Sequence, residues 1–155
     1  MFSKIDMRSG YHHVHIKLED IYETNVSTIY GNYEFILVPF GLTNAIDTFM
    51  CLMNNVLCPY LDGFVIVFID DILIYSKNEK EHVKHLATTL RLLREHQLYT
   101  KRRKCGFFQI EVQYFWYVVS KEGITVDPRK IRAIMKCATP RNVDEVRSFM
   151  GLACY

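Results

Sequence analysis

Two apolar, β-branched runs, Phe64-Val65-Ile66-Val67-Phe68-Ile69 and Ile72-Leu73-Ile74-Tyr75, are separated only by Asp70 and Asp71. Runs of that composition and length form buried strands. Two intervening residues are hairpin spacing, although Asp-Asp lacks the glycine that tight primed turns favour. Side chains alternate faces along a strand, so adjacent aspartates cannot both reach solvent without bending the chain. Two anions at the end of a core hairpin are costly unless something positive neutralises them. A divalent cation such as magnesium, which takes carboxylate oxygens, meets that need. A polar turn that uses aspartate twice is the plainer alternative.

The chain has 155 residues, half of them apolar, which suits one domain with a real core. Its net charge of +2 does not by itself point to nucleic acid. Charge is unevenly placed, however. Lys101-Arg102-Arg103-Lys104 is a basic run beside Tyr99, Phe107 and Phe108, either a solvated loop or a phosphate-facing patch. The five cysteines are odd in number and no two have C-x-x-C spacing, which suits reduced thiols inside a cell better than a disulfide framework or a zinc site. With no signal peptide and no spanning apolar stretch, a soluble intracellular protein without a membrane partner is expected.

Residues 2–7 read as a strand carrying Asp6 near its end, and 13–17 alternate as a half-buried strand does. Residues 26–30 and 33–38 flank Gly31-Asn32 as a hairpin would. Between 42 and 57, Ala45, Phe49, Leu52, Met53 and Val56 share one helical face. Asn78 with Glu81 forms a capping box for a helix whose apolar stripe is Val83, Leu86, Ala87, Leu90 and Leu93. Residues 113–119 read as a strand partnered by 124–126. Asp127-Pro128 is an N-cap followed by proline at the first helical position, and Asn142 with Glu145 repeats the capping logic. The pattern predicts an α+β fold, an antiparallel sheet with helices on one face.

Asp6 is distant in sequence from Asp70, but if their strands are neighbours both can converge on the same metals. Two cations held about 3.5–4 Å apart by shared carboxylates form the clamp used in phosphoryl transfer. His82 and His85 have chelating spacing but no third ligand, and a solvated helix face is expected for them. His12, His13 and His15 lack the spaced partners of a zinc site. A triad of Ser9, His12 and Asp6 has no oxyanion hole or nucleophile elbow.

The whole chain resembles the reverse transcriptase palm of gypsy-type long-terminal-repeat retrotransposons. The resemblance is carried, in order, by Phe2-Ser3-Lys4-Ile5-Asp6, Ser9-Gly10-Tyr11-His12, Tyr30-Gly31-Asn32-Tyr33-Glu34-Phe35, Pro39-Phe40-Gly41-Leu42-Thr43-Asn44-Ala45, Thr48-Phe49, Phe68-Ile69-Asp70-Asp71, Glu95-His96-Gln97-Leu98-Tyr99, Lys104-Cys105 and residues 143–152. It implies a polymerase palm, a ferredoxin-like antiparallel sheet with helices on one face, together with partial fingers and the start of a thumb or connection. Residues 1–127 would be the palm with its primer-grip hairpin, and 128–155 the beginning of the following helical region. Asp6, Asp70 and Asp71 would be the catalytic, metal-binding carboxylates, served by Mg2+ with Mn2+ as substitute. Tyr11 would lie beneath the sugar of the incoming nucleotide, Phe40 and Gly41 would line its pocket, and Phe49 would pack behind it. Phe115, Trp116 and Tyr117 would form the primer grip. The implied partners are an RNA template, a DNA primer and deoxynucleoside triphosphates; oligomeric state is not legible.

Several positions depart from the family pattern. Glu23, Asn25, Val26 and Ser27 replace residues of other character, and Ile46-Asp47 replaces a proline and a small residue. An inward-facing Asp47 would repel a triphosphate. Trp116-Tyr117 stands where glycine and a polar residue are usual, and a bulky side chain there would obstruct close backbone approach. The upstream fingers and the later thumb and RNase H modules are expected to lie outside these residues. Three outcomes stay open: a polymerase fragment, an inactive remnant that keeps the fold, and a host-recruited interaction module.

Overall fold

The first strand of the chain is an inner strand of its principal sheet. The computed structural model describes residues 1–8, 14–39 and 41–154, which form two units, Met1–Phe108 and Gln109–Tyr155. In chain order the strands are β1 (Phe2–Asp6), β2 (Val26–Thr28), β3 (Gly31–Tyr33), β4 (Val65–Phe68), β5 (Asp71–Tyr75), β6 (Gly106–Gln109), β7 (Val112–Tyr114), β8 (Tyr117–Ser120) and β9 (Gly123–Val126). The helices are α1 (Ala45–Leu57), α2 (Glu79–Glu95), α3 (Pro128–Met135) and α4 (Val143–Cys154). Sheet order is β4-β5-β1-β6 in the first unit, with β2-β3 a separate hairpin; β7-β8-β9 is a meander in the second. The α+β expectation holds.

Strand alternation sorts the principal sheet into two faces. Ser3, Ile5 and Met7 of β1 and its extension are buried, as are Ile72 and Ile74, their neighbours on β5. Ile5, Met7, Ile72 and Ile74 join Phe49, Met53 and Leu57 of α1 and Leu86 and Leu93 of α2 in one core. Each such side chain, fully buried, contributes about 1.5–3 kcal/mol. Lys4, Asp6, Asp71, Leu73, Ile66 and Phe68 occupy the other face, where Leu73 is buried and the last two are exposed. This face carries the candidate site.

Helix ends follow the capping logic. Asn78 Oδ1 accepts from the Glu81 N–H at 2.9 Å, Asp127 Oδ1 from Arg129 at 2.8 Å, and Asn142 Oδ1 from Glu145 at 2.8 Å. Asp127 caps α3 within the second unit.

Four local expectations are corrected. The β2–β3 register pairs Thr28 with Gly31, so the turn is Ile29-Tyr30 and not Gly31-Asn32. Thr28 Oγ1 accepts from the Tyr30 N–H and donates to the Gly31 carbonyl, closing the turn without help from a central glycine. Within 13–17 the described residues form a single bridge, His15 to Leu37, before a 3-10 segment, Leu18–Thr24. The buried face of α2 is His82, Leu86, Thr89 and Leu93, with Val83 and Leu90 exposed; hydrogen bonds to buried His82 turn the helix away from its most apolar stripe. Residues 113–119 are two strands, broken at Phe115-Trp116.

Candidate active site

The β1–β5 register sets Asp6 directly opposite Asp71. Like charges so placed repel. Lys4, two residues earlier on the same face, lies diagonally across from Asp71, and its Nζ is 2.8 Å from Asp71 Oδ2, with side chains 23% and 18% exposed.

The β4–β5 ladder closes at Phe68 and Asp71, so the turn residues are Ile69 and Asp70. This corrects the Asp-Asp turn read from the sequence: the two carboxylates sit in different settings, one in a turn and one in a strand. Ile69 has φ +52°, a left-handed conformation that is strained for a β-branched residue, at a cost of about 1–3 kcal/mol. Its N–H is held by Met50 Sδ at 2.9 Å, and the Asp70 carbonyl accepts from the Met7 N–H at 2.9 Å. The strained turn is thereby tied to both α1 and the end of β1.

Asp70 Oδ1 is buried with no hydrogen-bond partner among the described residues. Burial chiefly, then the charges of Asp6 and Asp71, push the Asp70 carboxyl above the usual range; Lys101 and Lys104 oppose the shift. Those lysines belong to the basic run, whose place the sequence left open. The Lys101 N–H donates to the Asp6 carbonyl at 2.8 Å, the Arg8 N–H to the Tyr99 carbonyl at 2.8 Å, and Met7 bridges Thr100. Lys104 Nζ lies 3.5 Å from Asp6 Oδ2 but is 63% exposed, so this pair adds little stability.

No three His, Cys, Asp or Glu side chains among the described residues are grouped so as to hold a metal by themselves. Magnesium commonly takes one or two carboxylates and completes its shell with water and substrate phosphates. The unpartnered Asp70 oxygen, beside the charge of Asp6, fits such an ion.

Tyr11 and Phe40 lie outside the described residues. Gly41 has φ +102° and open space where a side chain would begin, so conformation and not crowding favours glycine there. It borders a cavity of about 380 Å³ with Glu23, Asn25 and Pro39. A neighbouring cavity of about 470 Å³ opens before α1 and is lined by Lys17, Asp20, Asn44, Ala45 and Thr48, but not by Asp47, which sits in the first turn of α1, where a negative charge suits the helix dipole. Phe49 is fully buried in the core. In the second unit, Phe115 takes φ +57° in the β7–β8 turn, Trp116 is half exposed, and Tyr117 opens β8. Arg129 braces this unit, its guanidinium binding both Asp127 oxygens and, at 2.6 Å, Gln113 Oε1. His82, expected on a solvated face, is fully buried against Ser3; no spacing rule signalled that pairing.

A sheet of this order, with an acidic turn beside its inner strand, matches the polymerase palm that the sequence resemblance implies, and the family comparison agrees. The model of the reverse transcriptase (RNA-dependent DNA polymerase) family matches residues 1–147, and the chain belongs to that family. It is 38% identical over 154 residues to the retrovirus-related Pol polyprotein from transposon gypsy of Drosophila melanogaster, covering 99% of this chain and 15% of the polyprotein. It is 32% identical over 155 residues to the transposon Tf2-3 polyprotein of Schizosaccharomyces pombe, covering 100% of this chain and 12% of the relative. The chain thus spans under a sixth of these relatives. Among solved structures, foamy viral protease-reverse transcriptase in complex with double-stranded DNA shares the fold at TM-score 0.89 and 21% identity, over 97% of this chain and 26% of that one. The same protein with RNA/DNA hybrid gives TM-score 0.85 and 22% identity, over 97% and 20%. No helix among the described residues is long and apolar enough to cross a membrane.

Proposed function

We propose that this chain is the palm of an RNA-directed DNA polymerase, extending a DNA primer on an RNA template with deoxynucleoside triphosphates. The observation that carries the reading is the buried Asp70 oxygen, without a hydrogen-bond partner among the described residues and held on a strained turn within reach of the charges of Asp6 and Asp71. Asp6 and Asp70 would hold Mg2+, or Mn2+ in its place, and Asp71 completes the acidic box. In the reaction the primer 3′-oxygen bonds to the α-phosphorus and pyrophosphate departs. Bound magnesium would supply positive charge that activates the hydroxyl and offsets charge on the leaving oxygens. The chain's own part is to hold the carboxylates rigidly, since positioning and electrostatics dominate phosphoryl transfer. Tyr11, Phe40 and Gly41 would contact the nucleotide, Phe115, Trp116 and Tyr117 the primer end, and the 101–104 lysines and arginines the nucleic-acid backbone. The structural relatives solved with RNA/DNA hybrid and double-stranded DNA support those partners.

Trp116 favours a second reading, an inactive remnant, because an exposed indole stands at the proposed grip. One experiment separates the two. The 155 residues, placed between gypsy-type fingers and thumb, are assayed for magnesium-dependent extension of a primed RNA template, with and without Asp47→Ala and Trp116→Gly. Extension that is lost on Asp70→Asn is expected; its absence even in the restored chimera would overturn the polymerase reading.

A further inference from the structure

We propose that Lys4 is a positioning residue that withholds Asp71 from the metal site, leaving cation binding to Asp6 and Asp70. The inference rests on the reading of this sheet end as catalytic and assigns unequal roles within it.

The three carboxylates are not equally available. Asp71 is held at 2.8 Å by an ammonium less than a quarter exposed, where water competes weakly for either partner. Among the described residues the Asp6 carboxylate pairs with Lys104, at 3.5 Å, on a side chain that is mostly exposed. Asp70 has an oxygen already out of water and bonded to nothing among the described residues. A cation that recruits Asp70 therefore breaks no protein contact and relieves a buried polar atom. One that recruits Asp71 must first strip it from Lys4 and strand a half-buried ammonium.

The register explains why the lysine is there. Asp6 and Asp71 face each other across β1 and β5, and the diagonal position on the same face is the one from which a long cationic side chain reaches the further carboxylate. Lys4 thus removes one of three negative charges and orients the Asp71 carboxylate along the sheet.

The test titrates Mn2+ alone into the 155-residue chain and reads binding by water-proton relaxation. The informative variant is the charge-balanced pair Lys4→Met/Asp71→Asn, which deletes both partners. Its Mn2+ affinity should stay within about threefold of the parent, the scale of a weak electrostatic contact. Lys4→Met alone should bind more tightly by about threefold or more, because it removes the ammonium that competes with a cation for Asp71. Lys4→Arg should match the parent. Asp70→Asn should lose about tenfold or more, since even losing a group that only supports a ligand costs about that much. Circular dichroism verifies each fold, and Lys4→Gln/Asp71→Asn replaces the first pair if that pair is unfolded. A charge-balanced pair as weak as Asp70→Asn would make Asp71 a ligand and overturn the inference with the metal site intact. Parent and Asp70→Asn binding equally would instead remove the metal site, and the inference with it.

Discussion

Ser3 Oγ and His82 Nε2 lie 2.7 Å apart, joining β1 to α2 across 79 residues of sequence. One proton arrangement satisfies every group around them. The Phe108 N–H donates to Ser3 Oγ at 3.1 Å, and the Ser3 hydroxyl donates to His82 Nε2. His82 Nδ1–H donates to Ser76 Oγ at 3.0 Å, whose hydroxyl donates to His85 Nδ1 at 2.7 Å. Protonating His82 would make both ring nitrogens donors and leave the Ser3 hydroxyl hydrogen without an acceptor.

Acid should therefore destabilise the fold through His82. Burial first, then the positive chain terminus and His85, lower its pKa. The unfolded chain takes up this proton near pH 6.5 and the fold only below that, so unfolding binds a proton within the window. Stability is full above about pH 6.5 and falls as pH drops through the window. Thermal melts of the parent and His82→Gln across pH 5–8 measure this; the same acid sensitivity in both would assign the effect elsewhere. Ser3→Ala should cost about 1–3 kcal/mol at neutral pH, since it leaves buried groups unpaired.

Asp70→Asn should stabilise the metal-free chain. The raised carboxyl pKa means that the fold holds its proton to higher pH than the unfolded chain does, so ionised Asp70 opposes folding at neutral pH. Relief of about 0.5–1 kcal/mol is expected, the scale of a partly screened like-charge contact. Mg2+ or Mn2+ should raise the melting temperature of the parent and leave the variant unmoved. An unchanged parent midpoint with metal would show that the carboxylates hold no cation.

Gln97→Gly should stabilise the end of α2 by about 0.5–1 kcal/mol. Gln97 has φ +56° just beyond the helix; its N–H reaches the Arg94 carbonyl and the Leu98 N–H reaches Leu93 at 2.8 Å. This double bond pattern is a Schellman motif, whose left-handed position prefers glycine. Urea unfolding measures the gain, and a loss of stability would mean that the Gln97 side chain contributes more than its backbone strain costs.

Arg129→Met should raise the Asp127 pKa towards the ordinary aspartate range. Hydrogen bonds from Arg129 hold that carboxyl low, so its contribution to stability is present above the ordinary aspartate pKa and lost as pH falls through the lowered value. Carbon-detected titration of the carboxyl provides the measurement; an unshifted Asp127 would place the cause in the helix N-terminus alone.

The caps were legible because their chemistry is local: Asn78, Asp127 and Asn142 each bind a backbone N–H two or three residues on. Strand identity at 2–6 and 71–75 was legible from apolar runs. Turn register was not. At both β2–β3 and β4–β5 the turn sits away from the residues that composition singled out, because pairing across the ladder, and not the turn sequence, fixes where it closes. His82 was misjudged because Ser3 and Ser76, the residues that make its burial tolerable, are supplied from elsewhere in the chain. β6 was missed because its phenylalanines follow a basic run that reads as loop. In the site, the acidic residues were visible, but the ion pair of Lys4 with Asp71 needs the β1–β5 register to be seen.

That register also governs when the site can assemble. β1 lies between β5 and β6, strands that begin at residues 71 and 106. As the chain leaves the ribosome, β1 waits for about 70 further residues before it has a first partner, and longer for its second. Contacts this distant in sequence slow folding, and an unpaired apolar strand invites association with other chains in the interval. Asp6 and the turn at Asp70 can meet only once β5 has docked, so carboxylate repulsion is deferred until most of the first unit has been synthesised.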